Sequence, residues 1–231
     1  MIIGHGLLAR AFSVNYENDP NVLIFASGVS NSTELRQEEF QREKFHLQEA
    51  LSTFTGRRFA YFGSCGVVNV PGTLSPYLAH KLEMERLVLA HPAGIVFRLP
   101  QVVSHTNNPH TLTNYLYDRI KRGEHFKVWA NAERNLIDIE DAFAIAHRLL
   151  QLQKLSENVV NIASDVSIRV LDIVNIFERM LGKLGNYTIV PEGDSLHIDS
   201  LLTQLIAHEL GIDMRAGYAE RVLLKYYGNR F

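Results

Sequence analysis

The sequence predicts an α/β fold, a parallel sheet with flanking helices, on three observations. Four short apolar runs recur in the first hundred residues: Met1-Ile2-Ile3, Val22-Leu23-Ile24-Phe25-Ala26, Phe59-Ala60-Tyr61-Phe62 and Gly94-Ile95-Val96-Phe97-Arg98. The second and third are continuously apolar rather than alternating, as in strands buried on both faces. Helix-length segments separate the runs, and this strand, loop, helix recurrence is that of parallel units joined by crossovers. Length and composition allow such a core: 231 residues, 46% hydrophobic and 21% charged, describe an ordinary globular chain that needs no disulfide or metal to fold.

Taken in order, Met1 to Ile3 runs straight into Gly4-His5-Gly6-Leu7-Leu8-Ala9, which reads as strand, tight glycine turn and helix. Asn18-Asp19-Pro20-Asn21 is a turn cluster before the second strand. Ser32 to Phe54 carries Leu35, Phe40, Phe45, Leu47, Ala50 and Leu51 among charged residues, an amphipathic helix. The third strand stops at Gly63-Ser64-Cys65-Gly66, and a loop through Pro71-Gly72 leads to Ser75-Pro76-Tyr77 and a helix over Leu78 to Leu89. After Pro100 come a polar, turn-rich stretch, a helix over Leu112 to Arg122 and a strand over Phe126 to Trp129. A mixed segment from Arg134 to Asp141 then precedes a helix over Ala142 to Leu152. Val159 to Ile162 reads as a further strand, Val166 to Leu181 as a helix closed by Gly182, and Tyr187 to Val190 as the last strand before helical pieces. The expected organisation is a core over 1–165, with 98–140 contributing partly to a smaller lobe, and a C-terminal substrate lobe over 166–231.

Several function classes fall away. With 25 acidic against 23 basic residues the net charge is -2, which offers no basic field for nucleic acid. The cluster Arg119, Lys121, Arg122 reads as a solvated helix face. The single cysteine, Cys65, excludes an internal disulfide and a thiolate zinc cage, and the histidines show no His-Glu-x-x-His pair, so no metal is expected. No apolar run approaches the ~20 residues of a membrane span, and the N-terminus lacks a charged region followed by an apolar leader. A soluble, cytoplasmic protein is the expectation.

Three features can carry chemistry. Gly4-x-Gly6-x-x-Ala9 fits a dinucleotide fingerprint: the first glycine makes the turn, the second lets amides approach a pyrophosphate at a helix N-terminus, and the small third residue lets helix pack on strand. A turn that needs glycine for its backbone angles alone is the plain alternative. Tyr77-x-x-x-Lys81 puts an ammonium beside a phenol on one helix face. An opposite charge within ~4–6 Å lowers such a phenol by about 1–3 pH units, which makes it an acid/base. Tyr117 and Lys121 share the spacing and are read as a solvated helix face. Ser64 ends a buried strand at the carboxyl edge of the sheet, where open α/β proteins bind ligands; its plain alternative is a loop hydroxyl satisfying backbone groups.

These residues resemble the extended short-chain dehydrogenases/reductases that act on nucleotide-activated sugars, the NAD-dependent epimerase/dehydratase group, from Gly4 to about Gly182. Phe62-Gly63-Ser64-Cys65-Gly66-Val67 is similar to the family's strand end with its catalytic serine or threonine, and Ser75 to Glu85 to its tyrosine-lysine helix. Phe97-Arg98-Leu99-Pro100-Gln101-Val102 is similar to the strand and loop bordering nicotinamide and sugar, and Arg134 to Asp141 to a segment whose arginine meets the substrate's phosphates. The resemblance implies a Rossmann-like fold binding NAD or NADP. Tyr77 is then the acid/base, Lys81 holds the nicotinamide ribose and lowers the tyrosine's pKa, and Ser64 binds the sugar oxygen. Gly4, Gly6, Leu7, Leu8, Ala26, Ser27, Gly28 and Pro100 line the cofactor. Gln101 and Arg134 contact the substrate, although an ion pair of Arg134 with Asp138 or Glu140 is an equal expectation.

The chain departs from the family in one large respect. About sixteen residues separate Gly6 from Leu23, room for one helix, so the usual second and third strands are expected to be lacking, with the residue that reads the adenosine ribose. NAD and NADP therefore stay open, Arg10 favouring a 2′-phosphate only by its charge. Met1 to Ile3 becomes a sheet edge, and a homodimer is the assembly that such an edge and the family's habit suggest. Cys65-Gly66 follows Ser64 where the family's dehydratases carry an acidic pair, which leaves epimerisation or 4-keto reduction. Cys65 and His105 are candidates for an extra proton donor, against the plainer reading of a buried thiol and a loop histidine. The implied activity is that of an NAD(P)-dependent oxidoreductase or epimerase on a nucleotide sugar in polysaccharide precursor synthesis. The other reading is a degenerate member that binds a nucleotide sugar or a partner protein without catalysis.

Overall fold

The computed structural model describes residues 1–68 and 72–228; of the loop expected through Pro71-Gly72, Pro71 lies outside them. The elements are β1 (Ile2–Ile3), α1 (Leu7–Tyr16), β2 (Val22–Phe25), α2 (Gln37–Thr53), β3 (Arg58–Ser64), α3 (Pro76–Leu89), β4 (Gly94–Leu99), β5 (Gln101–Val103), α4 (Leu112–Arg122), β6 (Phe126–Trp129), β7 (Glu133–Arg134), β8 (Leu136–Asp138), α5 (Ile139–Gln151), β9 (Val159–Asn161), β10 (Ile168–Arg169), α6 (Val170–Leu181), β11 (Tyr187–Val190), α7 (Leu201–Glu209) and α8 (Tyr218–Tyr227). They divide into two compact units, Met1–Leu99 with Phe143–Ile162, and Pro100–Ala142 with Ala163–Phe231.

The first unit holds a parallel sheet in the order β1-β2-β3-β4-β9. Period-two alternation along β3 sends its side chains to two apolar layers. Phe59 and Tyr61 join Leu47, Ala50, Met84 and Val88 of α2 and α3. Phe62 faces the opposite way, 5.3 Å between ring centres from Phe12 of α1, which in turn meets Phe143 of α5 at 5.0 Å. The middle strands are therefore covered on both faces, which is why they read as unbroken apolar runs. Only α1 lies between β1 and β2, and β1 pairs with β2 alone. Among the described residues β1 is therefore an edge of the sheet.

The second unit pairs β5 with β8, β6 with β11 and β7 with β10. Its core includes a ring cluster of Tyr117, Phe177 and Tyr227, with Tyr117 5.6 and 5.0 Å from the other two. The solvated face expected for the Tyr117-Lys121 pair is thereby corrected: Lys121 is exposed but Tyr117 is buried. Leu116, Tyr117 and Ile120 form the apolar stripe of α4 and carry the ring inward.

Three helix starts differ from the sequence reading by three residues or more, each for a local reason. α2 begins at Gln37 rather than Ser32, because Glu34 folds back to accept from the Leu35 and Arg36 amides and the Arg36 guanidinium, closing a turn. α5 begins at Ile139 rather than Ala142, because Asp138 Oδ1 accepts from the Glu140 amide at 2.8 Å as a cap. α6 begins at Val170 rather than Val166, because Ile168 and Arg169 pair antiparallel with Arg134 and Glu133.

Among the described residues no helix is long and apolar enough to cross a membrane, and no group of histidine, cysteine and carboxylate side chains could hold a metal ion.

Candidate active site

Helix α3 presents the site. Ser75 caps it by accepting from the Leu78 amide at 3.3 Å, and Pro76 occupies its first turn, both preorganising the N-terminus. Positions four apart, Tyr77, Lys81 and Glu85, share a face, and β3 and β4 lie beneath it. Glu85 settles over Gly63, where a Cβ would collide with its carboxylate, and takes the Arg98 guanidinium at 2.6 Å.

Ser64 is the last residue of β3. Its Oγ accepts from the Gly66 amide at 3.1 Å, and its side chain lies close enough to the Tyr77 phenol to lower that phenol's pKa. The serine and the tyrosine, thirteen positions apart in sequence, thus meet at the carboxyl end of the sheet. The Lys81 Nζ stands 5.8 Å from the centre of the Tyr77 ring.

One expectation is reversed. Lys81 is expected to lower the tyrosine's pKa, yet burial pushes Tyr77 up to about 12, the Glu43 charge adds to the rise, and only the Ser64 side chain opposes it. The ammonium is already engaged, 3.2 Å from Glu43 Oε1 and 3.1 Å from the Tyr61 hydroxyl. Glu43 is the residue that the sequence reading missed. A signal was present, since the buried positions of α2 are Phe40, Glu43, Leu47 and Ala50; an acid interrupts an otherwise apolar stripe.

Gly4 has φ +125°, and a Cβ there would collide with the Ala26 carbonyl. Gly6 precedes α1 with no side chain capping it, and a Cβ on Gly6 would meet nothing within 4 Å. The amides of Leu7 and Leu8 open the helix behind that free space, and Ala9 is buried where helix meets strand. A pyrophosphate fits such an N-terminus, so these residues suit the phosphate end of a dinucleotide. Ala26, held by its amide to the Ile3 carbonyl at 2.8 Å, leads through Ser27 to Gly28. A Cβ on Gly28 would lie 2.7 Å from Lys81 Nζ and 2.9 Å from Glu43 Oε1. Among the described residues no strand lies beyond β1.

Pro100, Gln101 and Arg134 belong to the second unit. The Gln101 amide donates to the Asn135 carbonyl at 3.1 Å, which brings Gln101 beside the Arg134 segment. Arg134 is half-buried, donates to its neighbour's Glu133 carbonyl at 2.7 Å, and has its pKa lowered by burial against the opposing charge of Asp194. The ion pair weighed for it goes elsewhere: Asp138 and Glu140 hold Lys225 at 2.7 and 2.8 Å. Cys65 is buried, its Sγ donating to the Arg98 carbonyl at 3.3 Å, and burial pushes the thiol up to about 12. His105 is exposed and packs edge-on against Tyr226 at 5.0 Å.

A serine at a strand end, set beside a tyrosine one helical turn before a lysine, can move a proton at a substrate oxygen in a parallel α/β protein. A profile of the NAD dependent epimerase/dehydratase family matches residues 17–163, and the chain belongs to that family. The match begins after α1, so the glycine turn stands on its geometry. Solved structures agree in fold. UDP-glucuronic acid 4-epimerase from Bacillus cereus, in complex with UDP-glucuronic acid and NAD, is 16% identical with a TM-score of 0.72 over 96% of this chain and 77% of that one. UDP-glucose 4-epimerase from Thermus thermophilus, in complex with NAD, is 17% identical with a TM-score of 0.69 over 96% and 80%. dTDP-glucose 4,6-dehydratase from Bacillus anthracis, in complex with NAD, is 14% identical with a TM-score of 0.71 over 97% and 77%. No curated protein matches the chain in sequence.

Proposed function

We propose that this protein is an NAD-dependent enzyme that epimerises a nucleotide-activated sugar or reduces its 4-keto form. The observation that carries this reading is the placing of Ser64, at the end of β3, beside Tyr77 of α3, with Lys81 over the tyrosine ring. Gly4, Gly6, Leu7, Leu8, Ala26, Ser27, Gly28 and Pro100 hold the cofactor, and the NAD in the similar epimerases favours NAD over NADP. When bound, the nicotinamide supplies hydride exchange at the sugar's C4. Tyr77 gives or takes the hydroxyl proton at its phenol oxygen, Ser64 holds the sugar oxygen in line with that phenol, and Lys81 meets the cofactor's ribose. Gln101 and Arg134 bind the substrate, Arg134 through its phosphates. Cys65 and Gly66 stand where an acidic pair would serve dehydration, which disfavours that branch, and the neutral, buried thiol of Cys65 is a poor second proton donor. Work on polysaccharide precursors, a homodimer and a cytoplasmic setting belong to the same reading.

A second reading is a family member that binds a nucleotide sugar or partner protein without turnover, favoured by the bare flank at β1. Incubation with NAD and UDP-glucose or UDP-glucuronic acid, with the nucleotide sugars resolved by chromatography, separates the two. The enzyme reading predicts a new nucleotide sugar that disappears with Tyr77→Phe. Bound nucleotide sugar that is never converted, under either redox state of the cofactor, supports the second.

A further inference from the structure

Four buried ionisable groups behind Tyr77 have no part in the mechanism above beyond Lys81 itself. Glu43, fully buried on α2, accepts at Oε1 from the Tyr61 hydroxyl at 2.7 Å and Lys81 Nζ at 3.2 Å, and at Oε2 from the Val29 amide at 2.6 Å and His80 Nε2 at 3.0 Å. The Tyr61 hydroxyl donates to Glu43 and accepts from Lys81 at 3.1 Å. Each element packed against the carboxylate supplies a donor: β3, α3, and the segment after β2. Such saturation is what a buried carboxylate requires. A leucine at position 43 would complete the stripe of Phe40, Leu47 and Ala50 and would avoid the cost of burying charge. The acid is therefore there for Lys81, and the fit is close enough that Gly28 has no room for a methyl group beside the pair.

Resting on the reading of Tyr77 as the proton carrier, we propose that Glu43 is a positioning residue of this site: it locks the Lys81 ammonium in a buried ion pair and so presents Tyr77 as a proton donor. The groups facing Tyr77 are Ser64 from β3, Lys81 from its own helix and Glu43 from α2, with Tyr61 of β3 beyond. An ammonium free of a partner would draw the phenol toward phenolate; paired with a carboxylate, its pull is cancelled. The site then engages its substrate with the tyrosine proton in place, ready to protonate a carbonyl oxygen as hydride arrives at its carbon.

The test follows the ring-carbon NMR resonance of Tyr77 with pH in isotope-labelled protein, assigned by its loss in Tyr77→Phe. In the native protein the phenol stays protonated to about pH 10. Glu43→Gln is expected to lower its midpoint by about one pH unit or more, a tenfold rise in phenolate fraction at a given pH, while Glu43→Asp retains the charge and the native titration. A folded Glu43→Gln protein with an unmoved Tyr77 midpoint overturns the inference. Should that variant fail to fold, Gly28→Ala keeps both charges and displaces the pair; it is expected to shift the Tyr77 resonance at neutral pH, and an unshifted one overturns the inference equally. Nicotinamide binding is measured separately, so that loss of the cofactor reading and loss of the Glu43 role give different results.

Discussion

The carboxyl end of β3 and the glycine turn before α1 serve one sheet, yet they are secured to different degrees. Behind Ser64 and Tyr77 the buried charged groups are engaged by side chains from neighbouring elements: Lys81, Glu43, Tyr61 and His80 interlock, and Glu85 holds Arg98. At Gly6 there is a helix end without a side-chain cap, free space in front of it and an edge strand of two residues beside it. Tyr77 and Ser64 lie beside charges interlocked across α2, β3 and α3. The glycine turn is framed by α1 and by the pair of β1 and β2.

The comparison can be broken first at its stronger end. Tyr77→Phe is expected to lower turnover about 100- to 10,000-fold, the range of a general acid/base, and to leave NADH affinity within about twofold; steady-state rates and fluorescence titration check both. Retained turnover would falsify the acid/base role.

Next comes the buried charge. Glu43 would be raised by burial, but Lys81 and its hydrogen bonds hold it at about 2, below its ordinary 4.5. A carboxyl depressed in the folded state contributes stability that is complete above its unfolded value and lost as pH falls through its folded value. The native protein should therefore lose on the order of 3 kcal/mol from this group between those two pH values. Glu43→Gln should be less stable at neutral pH and show a shallower acid limb in urea unfolding followed from pH 6 to about 2. Parallel acid limbs would remove Glu43 from the account.

At the weaker end two glycines separate fold from ligand. Gly4→Ala places a methyl group against the Ala26 carbonyl at φ +125° and should cost about 2 kcal/mol or more in urea unfolding. Gly6→Ala meets nothing within 4 Å and should change stability by less than about 0.5 kcal/mol while weakening dinucleotide binding severalfold. Equal effects on stability would show that the turn is purely structural. The smallest change is expected from Tyr117→Phe, whose ring stays in its cluster with Phe177 and Tyr227: turnover unaltered and stability within about 1 kcal/mol.

Much of the fold was legible because β2, β3 and β4 are covered on both faces and so leave unbroken apolar runs; β1 was legible by the glycines behind it. The pairs β7 with β10 and β5 with β8 were not, since strands of two or three residues carry no period and form only where tertiary packing brings them together. Ser64, Tyr77 and Lys81 could be read as a set, by spacing and by the strand end. Glu43 escaped because a glutamate on a helix is by default a surface residue, and its partners Tyr61, His80 and Lys81 lie on other elements. Tyr117 escaped for the opposite reason: its spacing to Lys121 drew attention to the charge when the stripe through Leu116 and Ile120 decided its place. The direction of Tyr77's shift was hidden by the same gap, for without Glu43 the lysine's charge is the only one in view.

The central claim is that a sheet shortened at its cofactor flank still presents a nicotinamide to Tyr77. Titrating the protein with NADH and following nicotinamide fluorescence tests it most directly. A saturable rise, matched by Tyr77→Phe and weakened by Gly6→Ala, is the predicted result. No response to NADH from protein that still binds UDP-glucose would contradict it.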